Sequence, residues 1–188
     1  MKKYLLLLFS INAVLTIATA QPQHEVTLAY APLSSPFVGT DLQENIWNAI
    51  LLEKAKFSGF YQSVNFTYRI HFDKISYGIT NGISGGEKTG GTFGIYGGSL
   101  VKHLTFFTCF EPTFYLRKTE NFQLYAMGGI GIMKSREEIM RTHQNYTYRW
   151  LTMQLTPVGV RLGKKAGIFA EIGVGYKGLV NVGTSLQF

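Results

Sequence analysis

Four histidines (His24, His71, His103 and His143), one cysteine (Cys109) and 11 Asp and Glu residues hold most of the chemistry this sequence offers. No H-E-x-x-H or C-x-x-C spacing joins them, so zinc hydrolysis and dithiol exchange lack their ligand pairs. A lone cysteine cannot form an internal disulfide, and its ordinary fate is a small buried side chain. Hydrolysis of lipid by a barrel enzyme needs a His, a hydroxyl nucleophile and an acid within hydrogen-bond reach near one rim. His103 and Thr105 share a strand face, but neither their neighbours nor the nucleophile type completes such a set. His71 falls in a short connection on the opposite rim, and His143 beside Glu137 and Glu138 is too sparse for a metal. Gly85-Gly86 and Gly90-Gly91 lack the strand-then-helix setting of a phosphate loop. No catalytic, cofactor-binding or metal residue is expected, and no cofactor.

The charges that remain are better placed. Glu25, Arg69, Glu111, Arg161 and Glu171 all sit in segments where apolar and small or polar residues alternate, always on the polar phase. Strict alternation marks strands with one face in an apolar setting. It is clearest where Val180, Val182, Thr184, Leu186 and Phe188 oppose Asn181, Gly183, Ser185 and Gln187. The same pattern covers segments opening near Val26, Phe60, Ile75, Leu104, Phe122 and Ile168. An eighth, Trp150 to Leu162, changes phase beside Pro157, which predicts a bulge. Pro112 poses the same missing-donor problem without a phase change. Residues 32–57, 85–102 and 135–149 are long connections that alternate with short ones around Asp73, Glu120 and Lys164. The last connection, at Lys177-Gly178, is also short.

Composition narrows the setting. Lys2 and Lys3, the apolar run Leu5 to Phe9 and the exit Ala18-Thr19-Ala20 make residues 1–20 a secretory signal peptide and 21–188 the mature domain. Gln21 follows, so no lipidated Cys is expected. Charged residues are 15% and aromatics 14%, with 21 Gly, unlike a disordered or highly charged soluble chain. The net charge of +7 is scattered, and a nucleic-acid partner is not expected. A soluble barrel also alternates, but its outward polar face should be rich in Lys and Glu. Here that face is mostly Gly, Ser, Thr, Asn and Tyr, which suits a crowded lumen. Aromatics gather toward strand ends: Tyr68, Tyr77, Phe114, Phe122 and Phe188 at one rim, Tyr30, Phe60, Phe106, Trp150 and Tyr176 at the other. Two such belts fit two bilayer interfaces. The expected fold is an all-β, eight-stranded antiparallel up-and-down transmembrane β-barrel with short periplasmic turns and longer extracellular loops.

The stretch Gly167-Ile168-Phe169-Ala170-Glu171-Ile172-Gly173-Val174-Gly175-Tyr176-Lys177-Gly178, running on to Phe188, resembles the C-terminal hairpin of the small outer-membrane β-barrel proteins of Bacteroidetes-type bacteria. Val158 to Lys165 and Asn121 to Tyr125 are similar to that family too. The resemblance implies fold and outer-membrane location, and almost nothing about activity. It also implies that Phe188 is the terminal aromatic read by the barrel-assembly machinery.

Glu25, Arg69, Glu111, Arg161 and Glu171 are expected to form a lumen salt-bridge network, with Arg161 and Glu171 in reach across one hairpin. Thr40 and Gln43 read as a capping box opening a short loop helix that lids the barrel mouth or lies against lipid, with Trp47 and Leu51 on an adjacent face that could instead dock a partner. The expected function is a non-enzymatic, monomeric outer-membrane barrel with a plugged lumen. Its partners are outer-membrane lipids, the assembly machinery and an extracellular partner the sequence does not name. A lipid-modifying enzyme, or a narrow ion channel gated by the lumen charges, is the alternative.

Overall fold

The structure, a computed structural model, describes residues 23–34, 61–89 and 100–188. The signal segment, the loop helix with Trp47 and Leu51, and Phe60 lie outside the described residues. Eight strands follow in chain order: β1 Gln23–Ser34, β2 Tyr61–His71, β3 Ile75–Thr89, β4 Leu100–Lys118, β5 Phe122–Ile139, β6 Gln144–Leu162, β7 Ala166–Gly175 and β8 Val180–Gln187. Each pairs antiparallel with its sequence neighbour, and β1 pairs with β8 from Glu25↔Gln187 to Tyr30↔Val182. Closure gives the ladder no edge, which a strand structure in hydrocarbon requires.

The faces are those the alternation sets. Leu28, Phe66, Ile79, Phe110, Ile130, Leu155, Ile172 and Val182 point outward and are exposed. Thr67, Thr80, Glu111, Thr113, Glu171 and Asn181 point inward and are buried. On β5 the outward row stays uncharged from Phe122 to Ile132 and becomes Lys134, Arg136 and Glu138 beyond. Ten residue steps at ~3.4 Å, tilted ~40°, span ~26 Å, close to the ~25 Å apolar band of a membrane barrel. An apolar exterior of that height around a polar interior makes this a β-barrel of the outer membrane.

The irregularities have local causes. Leu155 pairs with Val174 but Val158 with Ile172, so β6 carries an extra residue around Pro157. The ladder to β5 shifts at the same place, between Tyr125↔Gly159 and Met127↔Thr156. Pro112 needs no bulge. The β4–β5 ladder passes from Phe110↔Ile130 to Thr113↔Met127 in constant register, and the missing donor falls in that gap.

One long connection is not a loop. Residues 135–149 continue β5 and β6 and turn only at 140–143, where His143 takes a positive φ of 54° and its N–H donates to the Ile139 carbonyl at 2.8 Å. Beyond the apolar band the outer face of this hairpin is polar and its inner face mixes Ser135, Glu137 and aromatics with Ile139, so the hydrophobic alternation fades while the strands go on. Likewise β3 runs to Thr89 and β4 starts at Leu100, which shortens the expected 85–102 connection. On β6 the ladder with β7 begins only at Gln154, so the β5–β6 hairpin stands well proud of its neighbour.

This topology makes a labelling prediction. With Cys109 buried, a Cys placed at Gln144 should react with an impermeant maleimide on whole cells, and one at Glu120 only after lysis. Reversed labelling would mean that the two rims are exchanged.

Candidate functional site

The barrel interior is the candidate site, and it is organised by three carboxylates. Glu25 lies low on β1, near the short-turn rim. Its Oε2 accepts from Arg69 Nη1 at 3.1 Å and lies 2.8 Å from His71 Nε2. Its Oε1 meets Arg161 Nε at 3.1 Å and Gln187 Nε2 at 3.3 Å. Higher up, Glu111 on β4 accepts from Tyr176 Oη at 2.7 Å and Lys177 Nζ at 2.8 Å, with Arg69 Nη2 at 3.7 Å. Glu171 on β7 accepts from Tyr125 Oη at 2.9 Å and Asn181 Nδ2 at 2.8 Å, and Lys177 Nζ stands 3.5 Å away.

Arg69 thus bridges Glu25 to Glu111, and Lys177 bridges Glu111 to Glu171. Three carboxylates face two guanidinium groups and an ammonium, all with side chains no more than 5% exposed. Each ion is both paired and hydrogen-bonded, which a charge in a low-dielectric interior requires.

All five expected lumen charges are therefore inside, but their partnership differs from the expected one. Arg161 pairs across β6–β7 with Phe169, and Glu171 with Gly159, so Arg161 and Glu171 stand diagonally. Arg161 turns instead toward the rim. It donates to Ser185 Oγ at 2.6 Å and to the carbonyls of Gly163, Lys164 and Lys165 at 2.6, 2.8 and 3.1 Å. The guanidinium fork holds the β6–β7 turn closed, work for which its planar donors suit it. Glu171 finds its cation in Lys177, a residue the alternation leaves unassigned.

Tyr176 is the second correction. It belongs to no outward belt. It is fully buried, its ring 5.1 Å from Phe107 and its hydroxyl on Glu111. Gly175 (φ 138°) and Gly178 (φ 85°) bracket Tyr176-Lys177, and these backbone angles are open to glycine but not to L side chains. They let the β7–β8 turn fold back into the lumen, where the Lys177 N–H also donates to Gln154 Oε1 at 2.9 Å. The flanking glycines in Gly-Tyr-Lys-Gly are the sequence signal that could have revealed this. Trp150, too, stands on the inner phase of β6, opposite Met133, with its ring 6.3 Å from Tyr148.

The histidines resolve as follows. His71 ends β2 and is buried, with Tyr115 Oη 3.0 Å from its Nδ1. His103 faces Glu137 across β4–β5 at 3.2 Å on the inner wall near the outer rim. Thr105 donates its hydroxyl to Ser135 at 2.8 Å, so it is not aimed at His103. His24 and His143 are surface residues, His143 lying 3.6 Å from Glu138. Among the described residues no three His, Cys, Asp or Glu side chains converge as a metal site.

No family model and no curated protein matches the chain. Solved structures do. The crystal structure of Ail, the attachment invasion locus protein of Yersinia pestis, is similar at 12% identity over 90% of this chain and 100% of that one, with a TM-score of 0.47. Ail in complex with the heparin analogue sucrose octasulfate gives 15% identity over 89% and 96%, with a TM-score of 0.43. Its backbone structure in a phospholipid bilayer nanodisc gives 14% over 89% and 100%, again at 0.43. The strand count, closure and face polarity of the barrel described above stand on this chain's own geometry.

The pairing pattern is open to a double-mutant test. Glu25→Ala strips Arg161 of its only carboxylate among the described residues, a loss of up to about 3–5 kcal/mol in a dry site, and Arg161→Ala costs less because Glu25 keeps Arg69. We predict that the Glu25/Arg161 double variant loses less than the sum by at least ~1 kcal/mol in urea unfolding, whereas Arg161/Glu171 is close to additive. The opposite ranking would restore the expected Arg161–Glu171 pair.

Proposed function

We propose that this chain is a non-enzymatic integral barrel of the outer membrane whose lumen is closed and whose outer rim carries surface recognition. The observation that carries this reading is the Tyr176-Lys177 turn, folded into the lumen and tied to Glu111 and Glu171. An ion crossing the barrel would have to displace a paired ammonium and a buried ring. In this reading residues 1–20 direct export and 21–188 form the barrel, acting as a monomer. The likeness of the last hairpin to small barrels of Bacteroidetes-type bacteria supports the same assignment. The extracellular partner would be met by the projecting β5–β6 hairpin and by the first outer connection, where Trp47 and Leu51 lie.

Phe188 fits a role in assembly by the barrel-assembly machinery. Its ring is outward and 65% exposed, centred 5.9 Å from that of His24. Its N–H and carbonyl exchange 2.9 Å hydrogen bonds with His24, closing the β1–β8 seam. Phe188→Ala should therefore lower the yield of heat-modifiable barrel several-fold while export to the periplasm continues. Undiminished barrel yield would remove Phe188 from that role.

Conductance tests the plug. In planar bilayers the native barrel should show no steady ion steps, and Tyr176→Ala/Lys177→Ala should conduct. Loss of Lys177 leaves the lumen carboxylates in excess by one, so the opened path should prefer cations. Steady conduction by the native barrel would overturn the closed-lumen reading in favour of the narrow channel.

A further inference from the structure

The outer wall of the barrel carries a feature that closure and anchoring do not use. Where the apolar band of β5 and β6 ends, Lys134 and Arg149 stand directly opposite each other, both exposed and both outward. Directly opposed like charges on a sheet face are destabilising. Among the described residues neither cation has an ion-pair partner. Arg136, the next outward residue on β5, adds a third positive charge diagonal to Arg149, with its Nε on Asn145 Oδ1 at 3.2 Å. The outward carboxylates nearby are already engaged: Glu138 with His143 at 3.6 Å and Glu87 with Lys102 at 3.6 Å.

These cations crown a groove. An open cavity of about 540 Å³ crosses the outer faces of β4, β5 and β6, walled by Phe106, Thr108, Ile132, Lys134, Arg149 and Leu151. Its lower wall lies in the hydrocarbon band and is apolar but for Thr108, whose hydroxyl donates to Asn81 Oδ1 at 2.8 Å, with Ile132 65% and Leu151 78% exposed. Its upper edge is cationic and lies where that band stops, at head-group level. A ligand that satisfies both halves has an anionic head and a hydrocarbon tail in one molecule.

We propose that this groove binds a phosphate-bearing lipid of the outer leaflet, its phosphate between Lys134 and Arg149 and an acyl chain along Ile132 and Leu151. The phosphate would supply the counter-charge that the opposed pair lacks. The inference rests on the membrane-spanning reading above.

The test uses the whole mature barrel in phosphatidylcholine vesicles, with Trp47→Phe, Trp150→Phe and Met153→Trp, so that one indole faces lipid just below the groove (Met153 is outward and 58% exposed). Brominated phosphatidylglycerol should quench this indole more than the same fraction of brominated phosphatidylcholine. Lys134→Gln or Arg149→Gln should each cut that preference about fivefold, the worth of one basic residue at a lipid surface, and together they should abolish it. Lys165→Gln, at the other rim, should leave it unchanged, and heat-modifiability shows that each variant is folded. Equal quenching by the two lipids, or a preference that survives the double substitution, overturns the proposal. Relief of the preference by inorganic phosphate would mean a small-anion site and overturn the lipid assignment. Failure of both lipids to quench would instead bring down the membrane-spanning reading, and this proposal with it.

Discussion

Neutrality of the lumen is the constraint on which the rest of this barrel depends. A closed ladder of eight strands turns one face to hydrocarbon and leaves a narrow interior for everything polar. Charges placed there must cancel within a few ångströms, because an unpaired ion in such surroundings costs several kcal/mol. Glu25, Glu111 and Glu171 come from β1, β4 and β7, three walls of the barrel, and Arg69, Arg161 and Lys177 tie them into a connected set. The pairs therefore run across the lumen as well as between neighbouring strands, and they brace walls that share no ladder. Rings complete the filling. A Cβ at Gly82 would sit 2.2 Å from the Phe107 ring, and one at Gly159 2.3 Å from that of Tyr125, so each glycine is the gap that an aromatic occupies.

The same constraint decides what a sequence reader can and cannot see. Period-2 alternation reports which face a residue takes, because only the membrane side must be apolar along its whole height. That is why the eight strands, the inward set and the phase change at Pro157 are legible. Partnership is a different matter. Arg161 is long enough to reach a neighbouring strand, the far wall or its own turn, and alternation does not choose among them. Three turn carbonyls, at Gly163, Lys164 and Lys165, decide it. Lys177 and Tyr176 sit in a turn, where alternation lapses, and only the two positive-φ glycines give their inward fold away. The β5–β6 hairpin escapes for a third reason. Above the membrane no face has to be apolar, so strands continue without the signature that reveals strands.

Strand lengths show where each demand ends. β7 and β8 have 10 and 8 residues, little more than a crossing, while β4 and β6 have 19 and β5 has 18. The short pair is capped by a turn that dives into the lumen. The long strands rise beyond the bilayer, carrying the His103–Glu137 pair on their inner wall and the Lys134, Arg136 and Arg149 cations on their outer one. One half of the rim thus ends in an inward turn and the other in a projecting hairpin.

These two halves differ in how their charges are satisfied, and the difference points to where function sits. Inside, each cation has its carboxylate within the chain. On the outer wall of β5 and β6 the opposed Lys134 and Arg149 have no carboxylate of their own among the described residues, and the chain spends stability to keep them together. An interior that balances itself serves the fold. A surface pair that does not balance itself needs something the chain does not contain. At the height where hydrocarbon gives way to head groups, the membrane offers that missing anion along the whole circumference. The barrel's own architecture therefore makes its lipid-facing collar, rather than its lumen, the place where binding can do something that folding has not already done.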